Sequence, residues 1–303
     1  MEVLRAEVEL EPGLLEDYAK TRVPRAPNGA IFVGAGDSYA AALAGFYGSG
    51  GRCAAMDPYA LRSAPQAARG LEVFFISASG RTSSNLAAAE AVTGLARRTV
   101  AITAEASSPL SGKCDDVLAL PMKYEPRMPG LVSFGLSLLA VMKAVRAAGK
   151  CDLESAFASA VEDCNNVLTG KGTTYFLGNS LAYPAARYAA AKTYEFLGSK
   201  AHAELLEEFS HMELFTLEKP DVVNVFAAFD PSGLAGRLGA ALAMEGYTAR
   251  VVPSRGTSDL ERLFHAVFVC QLSALNGSAG RRLSRPRFLS DRGRLETSDS
   301  MIY

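Results

Sequence analysis

The most chemically suggestive stretch is a cluster of hydroxyls around a glycine. Phe74-Phe75-Ile76 runs into Ser77-Ala78-Ser79-Gly80-Arg81-Thr82-Ser83-Ser84 just before a helix-forming segment. Hydroxyls and free backbone N–H groups at a helix start donate hydrogen bonds and favour an anion, and Gly80 lets the chain approach closely. The loop therefore predicts a phosphate site built from Ser77, Ser79 and Thr82. The same Ser and Thr residues could equally cap the helix beginning near Ser83. A second segment, Gly34-Ala35-Gly36-Asp37-Ser38, adds Gly36 and Ser38 as candidate ligand contacts at another helix start. Its Gly-Ala-Gly turn, with Asp57 near the distance of a ribose-binding carboxylate, also invites a dinucleotide reading. Tyr39 argues against that, because its ring stands where a third glycine would admit the pyrophosphate.

These loops need strands and helices to position them. Continuous apolar runs predict buried parallel strands at Ala30–Val33, Arg52–Met56, Glu72–Ile76, Arg98–Thr103 and Asp116–Leu120. Helices are expected at Gly13–Thr21, Tyr39–Phe46 and Ser83–Ala96, and from Leu131 to Ala148. This alternation predicts an α/β doubly wound parallel sheet. From residue 174 the rhythm restarts. Phe32-Val33-Gly34 through Ala41 can be laid over Phe176-Leu177-Gly178 through Ala185, with Phe, Gly, Tyr and Ala in register. Likewise Val73–Ile76 corresponds to Val222–Val225, and Arg98–Ile102 to Ala249–Pro253. The expectation is two similar α/β domains, 1–150 and 151–303, with a linker near 149–173. The halves differ chemically: Ala227-Ala228-Phe229-Asp230-Pro231-Ser232-Gly233 replaces the hydroxyl loop, and its Asp230 would repel phosphate. One phosphate site is expected, in the first half.

Composition narrows the class. With 303 residues, 31 Lys plus Arg and 32 Asp plus Glu, the net charge is −1, which disfavours nucleic-acid binding and a membrane-surface role. No apolar run reaches the roughly 18–20 residues needed to span a bilayer. The N-terminal Met1-Glu2-Val3-Leu4-Arg5 lacks the pattern of a secretory signal, so a cytoplasmic location is expected. The five cysteines never form C-x-x-C, so neither a disulfide framework nor a zinc site is legible, and no metal or cofactor is expected.

Gly34-Ala35-Gly36-Asp37-Ser38-Tyr39 and Ile76-Ser77-Ala78-Ser79-Gly80-Arg81-Thr82 resemble the two signature loops of sugar isomerase (SIS) domains, the second matching I-S-x-S-G-x-T. From about residue 28 onward the chain resembles the double-SIS family, in particular the isomerase half of glutamine–fructose-6-phosphate aminotransferase. Tyr183-Pro184-Ala185 through Glu195-Phe196 resembles that family's Y-P-x-A-x-E-G-A-L-K-L-K-E-I helix. Ala201-His202-Ala203-Glu204 resembles its H-A-E element, and Glu208-Phe209-Ser210-His211 its E-L-K-H element. Glu195 and His211 keep the family's catalytic spacing. The resemblance implies a phosphorylated sugar substrate and a homodimer, with no nucleic acid or membrane partner. Aldose–ketose interconversion moves a proton between C1 and C2 through an enediol, and a partly buried carboxylate suits that step. The resemblance makes Glu195 the enolisation base and His211 the ring-opening acid/base, with Lys192 on the face of Glu195 to steady an oxyanion. Without the resemblance, Lys192 and Glu195 read as a solvated pair three residues apart. Gly130-Leu131-Val132-Ser133 resembles a family segment beside the sugar, which makes Ser133 either a substrate contact or a helix cap.

Two departures from the family matter. Met1 is followed by Glu2, so the glutaminase cysteine is missing from the position where the family carries it. Asp291 also stands where the family has a carbonyl-engaging lysine, and an aspartate forms no Schiff base. The expected activity is phosphosugar isomerisation, with amino-sugar-phosphate deamination or deglycation, or sugar-phosphate sensing without turnover, as alternatives. Arg281, Arg282, Arg285, Arg287, Arg292 and Arg294 make the tail locally basic, which reads as a solvated or interfacial segment.

Overall fold

The computed structural model describes residues 1–146, 151–167 and 169–303. The predicted extension of a helix to Ala148 and the boundary at 150 fall outside these residues. In chain order the elements are α1 (Glu2–Lys20), β1 (Ile31–Val33), α2 (Asp37–Gly48), β2 (Ala54–Met56), α3 (Pro58–Ser63), β3 (Glu72–Ile76), α4 (Ser83–Ala91), β4 (Arg98–Thr103), β5 (Asp116–Ala119) and α5 (Val132–Val145). There follow α6 (Leu153–Asp163), β6 (Thr174–Leu177), α7 (Ala182–Lys192), β7 (Ala201–Glu204), α8 (Leu206–His211), β8 (Val222–Phe226), α9 (Leu234–Met244), β9 (Thr248–Val252), α10 (Asp259–Gly280) and α11 (Arg292–Ile302).

The chain forms two compact units. One comprises residues 14–149 and 292–303, the other residues 1–13 and 150–291. In the first, all pairings are parallel and the strand order is β2-β1-β3-β4-β5. The second has a parallel sheet of order β7-β6-β8-β9. Both are the α/β parallel-sheet architecture expected from the alternating runs. Central strands such as Ile31–Val33 and Val222–Val225 are buried, the first a continuous apolar run and the second interrupted by buried Asn224. One face of the first sheet packs Ile31, Val33, Val73 and Phe75 against Leu61, Ala88, Ala89 and Val92. In the second, Tyr175, Leu177, Val223 and Val225 meet Leu206, Phe209, Leu238 and Leu242.

Several elements differ from the expectation. α1 begins eleven residues before Gly13 because its acidic first half still supports a buried stripe, with Leu4 and Val8 inside. α4 stops at Ala91 rather than Ala96, giving way to a turn in which Gly94 takes φ 74°. The H-A-E element is the edge strand β7, and the end of the basic tail, from Arg292 on, forms α11. Asp57 is a helix cap: its carboxylate accepts from the N–H groups of Tyr59 and Ala60 at 2.9 and 3.1 Å. Capping thus accounts for this carboxylate without a bound ribose.

Candidate active site

In the first unit, β3 delivers the chain into a tight loop. Ser77 and Ser79 are buried. Ser77 Oγ accepts from Gly80 N at 3.1 Å and lies 3.3 Å from Thr82 Oγ1. Ser79 Oγ accepts from Arg81 N at 3.2 Å. Gly80 is required here twice over. It takes φ +59°, and a Cβ would stand 2.1 Å from Ser108 Oγ and 2.4 Å from Ser108 Cβ. Thr82 is the N-cap residue of α4, yet its side chain makes no capping hydrogen bond. Capping therefore does not account for its hydroxyl, which faces Ser77 instead.

The matching place in the second unit is filled by the chain itself. Asp230 Oδ2 accepts from Ala235 N in the first turn of α9 at 2.7 Å, and its Oδ1 accepts from Ser232 Oγ at 2.6 Å. Burial acts to raise the Asp230 pKa, but the Ser232 hydroxyl, the Ala235 and Ser232 N–H groups and Arg237 together hold it below the ordinary value. A carboxylate fixed at that helix start already supplies the negative charge that the helix end favours.

Gly36 and Ser38 open α2, with Gly36 at φ 56° and no side chain capping the helix. Gly34 lets β1 meet this helix: a Cβ there would lie 2.5 Å from the Ser38 carbonyl. Ser133 lies in the first turn of α5, whose N-cap is Leu131, so Ser133 is not the cap. Beside the Ser77–Thr82 loop, Ser83 Oγ donates to Ile302 O of α11 at 2.9 Å. Arg127 pairs with Asp299 of α11 at 2.9 Å. Tyr124 interacts with Ser79 and Tyr303, and its hydroxyl is pushed up to about 12, first by burial and then by Tyr303. The C-terminal helix is thus part of the surroundings of this loop.

The second unit holds the proton-transfer candidates. α7 ends at Lys192 and passes into a π-helical turn, Thr193–Leu197, that carries Glu195. Such turns re-aim a side chain relative to the preceding helix. The Lys192 side chain is 0% exposed, and its Nζ donates to Glu195 Oε2 at 2.6 Å; the Glu195 side chain retains 29% exposure. This is not the solvated pair that spacing alone would suggest. Lys192 Nζ also lies 5.0 Å from the Tyr188 ring centroid, an attraction that helps hold a buried ammonium.

The π turn is closed by Gly198 in the left-handed region, where Arg287 packs too closely to leave room for a Cβ. It is also held by Arg281 Nη1, which donates to Leu197 O at 3.1 Å and Ser199 Oγ at 2.8 Å. The Tyr194 hydroxyl donates to Ala201 O on β7. Sequence reasoning missed Tyr188, which lies in the same motif helix, as a partner of Lys192, and missed Arg281, which lies far along the chain, as a support of the turn that carries Glu195. His211 is the last residue of α8, 71% exposed, with Nε2 3.9 Å from Glu207. His265 is a core residue: its Nε2 lies 3.1 Å from Asp163 Oδ2, and burial pushes its pKa down against the pull of that carboxylate. Asp291 follows the short turn Arg287–Ser290 and is partly exposed.

Residues 26–147 match the family model of the SIS domain. No curated protein matches the chain. Among solved structures, it is similar to a glucosamine-6-phosphate deaminase from Thermotoga maritima, at 20% identity over 93% of this chain and 95% of that one, TM-score 0.73. It is also similar to the C-terminal domain of glucosamine-fructose-6-phosphate aminotransferase from Francisella tularensis, at 14% identity over 93% and 97%, TM-score 0.70. A third is the tagatose-6-phosphate ketose/aldose isomerase from Escherichia coli, at 18% identity over 93% and 88%, TM-score 0.64. At such identities these likenesses establish the fold. Among the described residues no helix is long and apolar enough to cross a membrane.

Proposed function

We propose that the protein is a phosphosugar isomerase that interconverts aldose and ketose phosphates through an enediol. In this reading Gly36, Ser38, Ser77, Ser79, Thr82 and Ser133 bind the sugar phosphate. Glu195 moves the proton between C1 and C2. Lys192 balances the charge that develops on the adjacent oxygen, and exposed His211 serves ring opening. The observation that carries the reading is the Lys192–Glu195 pair, a fully buried ammonium 2.6 Å from a carboxylate that solvent still reaches. Holding a charge in the core is costly, and a group that must meet a transient oxyanion gives that cost a purpose. The SIS match over 26–147 and two similar structures named for sugar 6-phosphates agree with the ligand class.

The units also support an internal duplication. The strand order β2-β1-β3-β4 has its counterpart in β7-β6-β8-β9. Gly34 and Gly178 each leave no room for a Cβ against the residue four positions on, and Gly36 and Ser180 share φ 56° and 52°. The duplicated frame then specialises: one copy leaves its β3–α4 loop for phosphate, while the other fills the corresponding place with Asp230.

Incubation in D₂O with fructose 6-phosphate, glucose 6-phosphate or glucosamine 6-phosphate, followed by NMR at C1 and C2 with ammonia assayed in parallel, tests this. Deuterium exchange without ammonia is expected. Ammonia release would instead favour a deaminase, and binding without exchange would favour a sensor.

A further inference from the structure

The proposed reaction makes no use of His202-Ala203-Glu204. On strand β7 alternate residues share a face, so His202 and Glu204 are neighbours. Glu213, which opens the short turn after α8, reaches the same point. His202 Nε2 lies 3.1 Å from Glu213 Oε1 and 3.7 Å from Glu204 Oε2. One donor atom from each of the three residues falls within 4.8 Å of the others. With metal–ligand bonds of about 2.0–2.1 Å, tetrahedral donors stand roughly 3.3 Å apart, so the two contacts to His202, at 3.1 and 3.7 Å, are already near that spacing, and the two carboxylates would close toward it around an ion.

The surroundings favour a ligand-binding cluster over a bare ion pair. Glu204 Oε1 accepts the Leu205 N–H at 2.8 Å, which leaves Oε2 turned toward His202. The Tyr175 ring meets the imidazole edge-on, 6.1 Å between centroids, and limits its rotation. Glu213 Oε2 is buried without a hydrogen-bond partner. Oε1 is the oxygen that faces His202, so a cation bound by both oxygens of this carboxylate would satisfy the unpartnered one as well. Two carboxylates converging on one imidazole also concentrate negative charge that a divalent ion balances.

We propose that His202, Glu204 and Glu213 bind a divalent first-row metal cation. One imidazole nitrogen with two carboxylate oxygens suits Mn²⁺ or Zn²⁺, and the positions left open take water or a ligand oxygen. Glu204 lies just before α8 and Glu213 just after it. A bound ion therefore pins both ends of the short helix that carries His211.

Tag-free protein stripped of metal with a chelator is titrated with Mn²⁺, and the free-ion EPR signal is followed. The expected result is one saturable equivalent per chain, displaced by Zn²⁺. Affinity should fall at least about tenfold in Glu213→Gln and in His202→Gln. Electron spin-echo spectra of Mn²⁺ on the unmodified chain should show an imidazole nitrogen, a readout that does not depend on either variant folding. Absence of saturable binding, bound Mn²⁺ with no nitrogen coupling, or undiminished binding by both variants overturns the proposal. No sugar is present, so the outcome is independent of whether Glu195 performs enolisation.

Discussion

Lys192 and Glu195 share one ion pair but not one environment, and this asymmetry predicts unequal costs when either is neutralised. The Lys192 side chain has no exposure, whereas that of Glu195 keeps 29%. Glu195→Gln removes the carboxylate charge that faces the buried ammonium. Removing one partner of a buried pair typically costs 3–5 kcal/mol. The glutamine carbonyl can still accept from Nζ across the present 2.6 Å contact, so the lower end, about 3 kcal/mol, applies. Lys192→Met leaves a carboxylate that can hydrate and replaces a long stem with an apolar one of similar shape, for about 1 kcal/mol. The double variant should recover most of the loss seen in Glu195→Gln. Urea melts of the three variants, compared by midpoint at constant slope, measure this. Equal losses in the single variants, or additive losses in the double variant, would refute the assignment of a buried charge held by Glu195.

Gly80→Ala should cost roughly 2–4 kcal/mol, since a left-handed alanine is strained and its methyl displaces Ser108; a variant within 0.5 kcal/mol of the original in thermal melts would contradict the loop geometry. Ser79→Ala should weaken binding of inorganic phosphate, read by titration calorimetry, and lower stability by about 1 kcal/mol, the cost of the hydrogen bond its hydroxyl accepts from Arg81 N. Glu11 is fully buried, and burial foremost raises its pKa from 4.5 to about 8, with Gln271 opposing and Glu7 assisting. The folded chain therefore keeps a proton that the unfolded chain releases above 4.5. This contribution to stability is complete below that pH and is lost as pH rises toward 8, by about 1.4 kcal/mol per pH unit. Glu11→Gln should bring the urea midpoints at pH 5 and pH 8 closer together, and an unchanged gap would show that Glu11 ionises normally.

What was legible in the sequence followed from burial. Val73–Ile76 and Val100–Ile102 are inaccessible and accordingly read as unbroken apolar runs. β7 escaped because an edge strand faces water on one side, and Ala201-His202-Ala203-Glu204 alternates instead of running apolar. The Ser77–Thr82 loop was visible because its chemistry is contiguous in the chain. The support of Glu195 was not: Arg281 lies 84 positions from the carbonyl of Leu197 that it holds. A π turn likewise has no periodic signature, so the spacing of Lys192 and Glu195 suggested a surface pair where the structure has a buried cation. Glu213 joins His202 only through the fold, which is why no metal-ligand spacing could be read.

Deuterium incorporation at C1 and C2 of a bound sugar phosphate, compared between the unmodified chain and Glu195→Gln under conditions where both are folded, tests the central claim most directly. Exchange in the unmodified chain, lost by at least about a thousandfold (roughly 4 kcal/mol of transition-state stabilisation) in a variant that still binds the phosphate, is the predicted result. Exchange that persists without the Glu195 carboxylate would contradict the account.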